Sequence, residues 1–199
     1  MIKRGLESKE RYDYLIKARN FHYENFNKWI SYFYIAIGAL FVGYYTILPH
    51  KEMDTEKTIV LVLGYTTSLF LYWSSKGYYF WNINFIMLIN DCEENTLNLD
   101  NEDRVYFVFA NKKIQNNYLK PHTGANISTS KIAIFFSFVI TLAWGVLLMK
   151  AIYSELNLFC NLVSVVLVTL FLSYIVPKNF LKSKISHFPD LKIKQHRKK

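Results

Sequence analysis

The chain has 199 residues, of which 52% are hydrophobic, and its 24 Lys and Arg against 15 Asp and Glu give a net charge of +9. This length corresponds to about one domain, and the hydrophobic content is near that of soluble proteins, so composition alone assigns no class. A positive net charge also fits nucleic-acid binders. Here the basic residues are spread over three segments and form no recognisable binding module, so direct nucleic-acid readout is not expected.

Every charged residue lies outside four apolar stretches, which cover residues 29–48, 58–75, 132–149 and 156–176. A bilayer core of about 30 Å needs roughly 17–25 helical residues, so each stretch is long enough to span it. A cleavable signal peptide is the alternative for the first stretch, but 28 mostly polar residues precede it. Soluble buried helices are the alternative for the others. Four uncharged stretches in one short chain favour an all-α membrane protein with four transmembrane helices.

The distribution of Lys and Arg predicts the orientation. Seven precede the first span, six lie between the second and third, eight follow the fourth, and the other two loops share three. Since positively charged loops stay on the cytoplasmic side, both termini are predicted to be cytoplasmic. The segments are a cytoplasmic amphipathic helix (1–28), a first transmembrane pair (29–75), a helical cytoplasmic region (76–131), a second transmembrane hairpin (132–176) and a basic cytoplasmic tail (177–199).

Residues 8–28 contain neither Gly nor Pro and carry acid-before-base pairs four residues apart. This pattern predicts a helix that continues unbroken into the first span. Its apolar residues Tyr12, Leu15, Tyr23 and Phe26 fall on one side, so another element must cover them.

Small residues in the first two spans indicate close helix packing. In the first span, Ala36, Ala39 and Gly43 have the spacing that lets helices approach closely in lipid, and we predict that they contact a neighbouring protomer. The second span has a small or polar side that we interpret as packing residues: Gly64, Thr67, Ser68 and Ser75.

Polar residues near the first and fourth spans are candidate pore or gate residues. In an oligomer whose first helices surround an axis, Arg19, His22 and Asn27 would form rings that gate or select ions. The structural alternative is that His22 is a packing residue near interfacial aromatic anchors. In the fourth span, Asn161 and Ser164 share a face and either meet water in a pore or hydrogen-bond between helices.

The region after the second span is predicted to continue as helix over residues 78–95. It carries a seam at alternating spacings of three and four, and we predict that its first four members contact other protomers: Tyr78, Trp81, Phe85, Leu88 and Cys92. Beyond residue 100 the composition turns polar, with a short aromatic run at residues 105–109, and we expect a second short helix followed by a loop.

Basic residues in this loop and in the tail have two interpretations each. If a nucleotide signal binds, Arg104, Lys112 and Lys113 are the candidate ligand site, and solvated surface charge is the alternative. The tail 177–199 either lies along anionic headgroups or is a disordered solvated tail.

Catalytic chemistry is not evident in the sequence. Enzymes within the bilayer and ion-coupled transporters usually need ionisable residues inside their spans, and these spans have none. The five histidines are scattered without ligand spacing, and no phosphate-binding glycine loop or nucleophile elbow is present. The sequence therefore predicts no enzyme, no catalytic residue, no metal site and no cofactor.

Residues 19–45, which contain the run Gly38-Ala39-Leu40-Phe41-Val42-Gly43-Tyr44-Tyr45, resemble the RipA-type octameric membrane proteins, and this resemblance extends over the first 95 residues. More loosely, a basic amphipathic helix leading into a pair of spans is similar to the SLATT-type small membrane effectors of bacterial antiphage systems, which are paired with nucleotide-producing sensors. A SLATT assignment leaves the second pair of spans unexplained.

The resemblance implies a homo-oligomer in the inner membrane of a bacterium, with an assembly of cytoplasmic helices. Its effector branch implies membrane permeabilisation in antiphage defence, triggered by a cytoplasmic sensor protein or a nucleotide signal. We therefore expect an oligomeric channel or pore-forming effector. The alternative is a membrane scaffold or regulator that conducts nothing and senses or recruits a cytoplasmic partner. A third hypothesis, an enzyme acting on lipid, has no residues to support it.

Overall fold

The computed structural model describes residues 8–105, 118–119 and 124–182, and this part of the chain is helical, with no strand. The predicted all-α class is confirmed. The elements are α1 (Ser8–Ile47), a 3-10 turn (Lys51–Met53), α2 (Asp54–Asn95), α3 (Thr129–Ile152), α4 (Leu158–Val176) and a π-helical turn (Pro177–Leu181).

Two of the helices are about twice as long as a bilayer is thick. α1 has 40 residues and α2 has 42, so each measures roughly 60 Å against a hydrocarbon core of about 30 Å. Both therefore extend beyond the membrane as well as crossing it, and the predicted unbroken passage of residues 8–28 and 78–95 into their spans is confirmed. All four helices are long and apolar enough to cross a membrane.

α2 is the central helix of the protomer. It packs against both α1 and α3, and α3 in turn packs against α4. The core lies where the first three helices meet and consists of Ile37, Tyr44, Leu61, Leu71 and Trp144. Because α1 contacts few elements other than α2, much of its circumference is left uncovered within the protomer.

Small and hydroxyl-bearing residues line the contacts between the spans. The side chains of Ser68, Ser75, Ser137 and Thr141 are fully buried, and each hydroxyl donates a hydrogen bond to a backbone carbonyl of its own helix. Their polar groups are thus satisfied without a partner helix, and their small volume lets the helices approach closely. The interpretation of the small side of the second span as packing residues is supported at Ser68 and Ser75.

Gly64 lies directly beneath the indole ring of Trp144, and a Cβ built at this glycine would overlap that ring. Gly64→Ala should therefore destabilise the protomer by about 1–3 kcal/mol, as overpacking of a filled core does. Thermal unfolding in detergent, followed by tryptophan fluorescence, measures the loss. Gly77→Ala is the matched control, because a Cβ there meets no atom within 4 Å. Equal midpoints for Gly64→Ala and the wild type would contradict this packing.

A proline ordinarily ends an α-helix, but the helical backbone of α4 continues past Pro177. α-Helical hydrogen bonding stops at Val176, but the backbone continues through a wider π turn to Leu181. Proline lacks an N–H and its ring crowds the carbonyl four residues earlier, and a wider turn relieves that crowding. As a result, Lys178 is carried on a helical extension of α4.

Some predicted features lie outside the described residues. These are nearly all of the aromatic run at residues 105–109, the candidate ligand residues Lys112 and Lys113, and the basic tail beyond residue 182.

Candidate functional site

Stacked aromatic rings hold together the parts of α1 and α2 that extend beyond the predicted spans, residues 8–28 and 78–95, which we call their extensions. Phe26 lies flat on Tyr78, with ring centroids 3.7 Å apart and planes 7° from parallel. The His22 imidazole stacks on the same tyrosine at 5.0 Å and also contacts Phe85 at 5.4 Å. The extension of α2 therefore covers part of the apolar side of the amphipathic helix, while Tyr23 on that side stays 46% exposed.

A groove of about 440 Å³ opens beside this stack, at the boundary between the spans and their extensions. Its lining residues are His22, Asn25, Phe26, Trp29, Phe33, Ser74, Gly77 and Tyr78. The Nε2 atom of His22 is buried and has no hydrogen-bond partner among the described residues. His22 thus combines a packing role with a polar atom at a groove.

A fully buried carboxylate, Glu93, fixes the far end of the two extensions. Its Oε1 accepts hydrogen bonds from the Tyr12 hydroxyl at 2.9 Å and from the Val105 backbone N–H at 3.1 Å. Its Oε2 is buried without a hydrogen-bond partner in the part of the chain that the structure describes. Since a buried carboxylate depends on such donors, Glu93 ties the start of α1 and the segment after α2 to one point.

Tyr12→Phe is expected to loosen the amino-terminal half of α1. Removing one partner of a buried hydrogen bond costs about 1–3 kcal/mol, because the group left behind, here Glu93, is less well satisfied. Hydrogen–deuterium exchange of residues 8–28 should rise by roughly tenfold or more, while exchange in the spans stays unchanged. Tyr14→Phe is the matched control, because Tyr14 lies on the same helix and is 56% exposed. Equal exchange in the two variants would contradict the role of Glu93.

One face of α1 is exposed along its length, and we call it the outer face. Its residues recur at alternating spacings of four and three: Glu24, Lys28, Ser31, Ile35, Gly38 and Val42. Ile35 and Val42 are 70% and 67% exposed, and a Cβ at Gly38 would meet no atom within 4 Å. The buried residues Ile37 and Tyr44 lie on the far side of the helix. Nothing in the described protomer covers the outer face.

The predicted oligomer-contact stripe on α1 is separate from the outer face. At 100° per residue, Ala36, Ala39 and Gly43 lie roughly a quarter turn from the outer face and a quarter turn from the buried side. Ala36 and Ala39 are exposed, and a Cβ at Gly43 would meet no atom within 4 Å. The stripe is therefore unused within the protomer, and its contact with a neighbour stays a prediction.

Comparison with known families agrees with this picture of long helices with uncovered faces. The sequence model of the octameric membrane protein family (8xMP) matches residues 9–153, well over half of the chain. The chain belongs to this family. No curated protein and no solved structure gave a match. The resemblance to octameric membrane proteins is confirmed and reaches beyond the first 95 residues into α3. The protein is thus a homo-oligomeric membrane protein.

Within this octameric family member, the three pore candidates on α1 do not share one face. His22 packs against α2, and Arg19 is partly buried and donates a hydrogen bond to the Asn20 side chain at 2.8 Å. Asn27 is exposed and lies next to the outer face. Their roles as gate residues stay predictions, with Asn27 the best placed of the three to face an axis.

The polar residues of α4 are engaged near its amino end. Asn157 caps the helix by accepting the Phe159 N–H at 3.0 Å. Asn161 is buried, and its amide donates to the Leu156 carbonyl at 3.3 Å. Ser164 is partly buried on the same helix. The amide of Asn161 thus bonds to the α3–α4 connection, and the pore roles of Asn161 and Ser164 stay predictions.

Some residues of the seam on the extension of α2 pack within the protomer, and others are exposed. Tyr78 and Phe85 contact α1 within the protomer, Leu88 is partly buried, and Trp81 is exposed. Further along, Cys92, the fifth member of the seam, is fully buried together with its neighbours Ile89 and Glu93. At 100° per residue, Ile89, Cys92 and Glu93 stay on the side of Tyr78 and Phe85, whereas Trp81 and Leu88 lie roughly a fifth of a turn to one side of it. Contact of the seam with other protomers stays a prediction.

Among the candidate ligand residues, Arg104 is the one the structure describes. Its Nη1 lies 3.4 Å from a Glu94 oxygen, and its Nε donates to the Leu99 carbonyl at 3.1 Å. Arg104 therefore fastens the segment after α2 to the helix itself. A ligand role for it stays a prediction.

The anchor at Glu93 is the main feature of this region that the sequence did not reveal. A signal for it was present, because Glu93 follows Ile89 and Cys92 on the apolar side of α2. A single acid on such a side indicates a buried, hydrogen-bonded carboxylate.

Proposed function

We propose that the protein forms an octameric ion channel in the inner membrane of a bacterium, with eight copies of α1 arranged around an axial path. The observation that carries the proposal is the outer face of α1, which stays exposed through the whole span in a chain that belongs to an octameric family. In a ring, the small stripe would face the neighbouring protomer and the outer face would face the axis.

The order of side chains along the outer face suits a gated path. Glu24 and Lys28 lie at its predicted cytoplasmic end, followed by Ser31, whose hydroxyl donates to the Asn27 carbonyl at 2.8 Å. Ile35 and Val42 then present apolar side chains toward the axis. Rings of aliphatic residues close a pore by excluding water, and rings of charged residues select ions. The face thus supplies a charged mouth followed by an apolar gate.

The exposed faces of the second hairpin suit lipid instead. α3 exposes Phe135 and Val139, and α4 exposes Leu167 and Phe171. Both helices bury their polar or small residues inward, as Thr141 and Asn161 show. In the proposed ring, α1 lies nearest the axis and α3 and α4 lie on the periphery. The apolar faces of α3 and α4 then meet the bilayer, which favours apolar side chains.

The proposed orientation has both termini in the cytoplasm, so the extensions of α1 and α2 meet the trigger. A cytoplasmic sensor protein or a nucleotide signal that alters the Glu93 anchor or the His22 stack would move α1 directly. In this proposal the protein is an effector that permeabilises the membrane in antiphage defence, and it has no enzymatic activity.

The test is electrical recording from the purified oligomer in planar bilayers. Discrete current steps are expected, and they should be absent from a preparation whose octamer has been dissociated. Recordings across voltage, pH and added nucleotides that stay silent would overturn the channel proposal, as would purified protein that is monomeric in mild detergent.

A second candidate function is a scaffold that conducts nothing. The extension of α2 exposes large apolar side chains beyond the predicted span, namely Phe80, Trp81, Ile83 and Met87. Such a patch suits a protein partner or another protomer. A His22→Ala change that alters partner pull-down while leaving the membrane potential untouched would favour this function.

A further inference from the structure

A pocket of about 840 Å³ opens between α1, α2 and the end of α4. Its lining combines an apolar, largely aromatic wall with three lysines: Phe33, Phe70, Trp73, Ser74, Lys76, Gly77, Ser173, Tyr174, Pro177, Lys178, Leu181 and Lys182. Ligand pockets in proteins measure about 300–1,000 Å³ and are mostly apolar with a few placed polar groups. Both the size and the lining of this pocket fit that description.

The three lysines have no acidic counterpart in the pocket. The lining contains no Asp or Glu, and none of Lys76, Lys178 and Lys182 forms an ion pair with an acid in the described ranges. Lys178 lies over the Tyr174 ring at 4.9 Å and donates to its hydroxyl at 3.1 Å, and Lys76 lies over the Tyr72 ring at 5.3 Å. The pocket is therefore positively charged and is suited to a ligand with an anionic group.

The pocket lies at the level of a membrane surface. Lys76 is the first charged residue after the second apolar stretch, and Lys178 is the first after the fourth. Both stretches end on the predicted cytoplasmic side. The Trp73 Nε1–H donates to the Ser173 hydroxyl at 2.9 Å and fixes the end of α4 to α2 at this depth. The apolar wall thus lies toward the hydrocarbon and the lysines lie toward the headgroups.

We propose that this pocket binds an anionic phospholipid of the cytoplasmic leaflet. Its phosphate is held by Lys76, Lys178 and Lys182, and an acyl chain lies against the aromatic wall. Basic pockets between transmembrane helices on the cytoplasmic side are suited to such headgroups. The basic tail is a poor occupant because its charge matches that of the lysines. The proposal does not depend on whether the oligomer conducts.

Thermal unfolding of the full-length, delipidated oligomer during lipid titration tests this site. Phosphatidylglycerol is expected to raise the unfolding midpoint, whereas phosphatidylcholine with the same acyl chains should not. Native mass spectrometry should show phosphatidylglycerol retained on the oligomer. The double variant Lys178→Gln/Lys182→Gln is expected to weaken phosphatidylglycerol binding roughly tenfold.

Two further variants separate charge from shape. Gly77→Leu keeps all three lysines but fills the pocket, since a Cβ at Gly77 meets no atom within 4 Å; it should also lose phosphatidylglycerol. The matched control is Lys51→Gln/Lys150→Gln, which removes two exposed lysines at the opposite ends of the spans and should bind phosphatidylglycerol like the wild type.

Three results would overturn the proposal. Equal stabilisation by phosphatidylcholine would mean that the pocket has no headgroup preference. Competition by soluble glycerol phosphate would indicate a small-anion site. Loss of the octamer in Gly77→Leu with phosphatidylglycerol binding retained would mean that a neighbouring protomer covers the pocket.

Discussion

Replacing Gly43 by leucine is expected to dissociate the proposed octamer while leaving the protomer folded. Inside the protomer, a Cβ at Gly43 meets no atom within 4 Å, so the larger side chain is accommodated there. Between protomers, the stripe of Ala36, Ala39 and Gly43 works only if helices approach closely, and a leucine prevents that approach. Overpacking costs about 1–3 kcal/mol per contact, and the ring repeats the contact in every protomer. Mass photometry should show species far smaller than the octamer.

The control for this variant is Ala143→Leu, which makes the same kind of enlargement at a small exposed residue of α3. It should keep the mass of the wild type. Circular dichroism of both variants should remain fully helical. A Gly43→Leu protein that stays octameric would show that the small stripe is not the contact between protomers.

Val42→Asn is expected to leave the channel open without a trigger. Val42 is 67% exposed on the outer face, where we propose an aliphatic gate. An amide in that ring keeps water in the constriction, because it removes the cost of wetting an apolar surface. A change of about 1.4 kcal/mol in the closed–open equilibrium corresponds to tenfold in open probability, and a ring of substitutions should exceed that. Dye release from liposomes and growth arrest of expressing cells both measure the leak.

The matched change Val168→Asn places the same amide on the exposed face of α4, where valine is 46% exposed. It should lower the yield of inserted protein without raising the leak of what is inserted. Equal leakage from the two variants would show that the amide disturbs the bilayer and that Val42 has no special position.

The helices were predictable because the properties that define them are local. Charge-free length predicts the spans, and acid-before-base spacing predicts the unbroken passage of residues 8–28 into the first span. The packing side of α2 was also predictable, since Ser68 and Ser75 lie at helical spacing in an apolar stretch. The family relationship added the oligomer, which no property of a single helix reveals.

Contacts between distant segments were not predictable in the same way. The Tyr12–Glu93 hydrogen bond joins residues 81 positions apart, and it depends on the register of α1 against α2. The pocket with Lys76 and Lys178 depends on which helices are neighbours and on the π turn after Val176. A hydropathy profile shows only that Lys76 follows the second span and Lys178 follows the fourth. It does not show that the ends of these two spans lie side by side.

Cysteine accessibility during electrical recording tests most directly whether the outer face of α1 lines an axial path. Ser31→Cys and Val42→Cys are made in a Cys160→Ser background, because Cys160 is exposed while Cys92 is buried. A charged, membrane-impermeant thiol reagent should reduce the current of both variants. Phe171→Cys, on the exposed face of α4 that we propose faces lipid, should be unaffected. Unchanged current at Ser31→Cys and Val42→Cys, or equal block at Phe171→Cys, would contradict a path lined by α1.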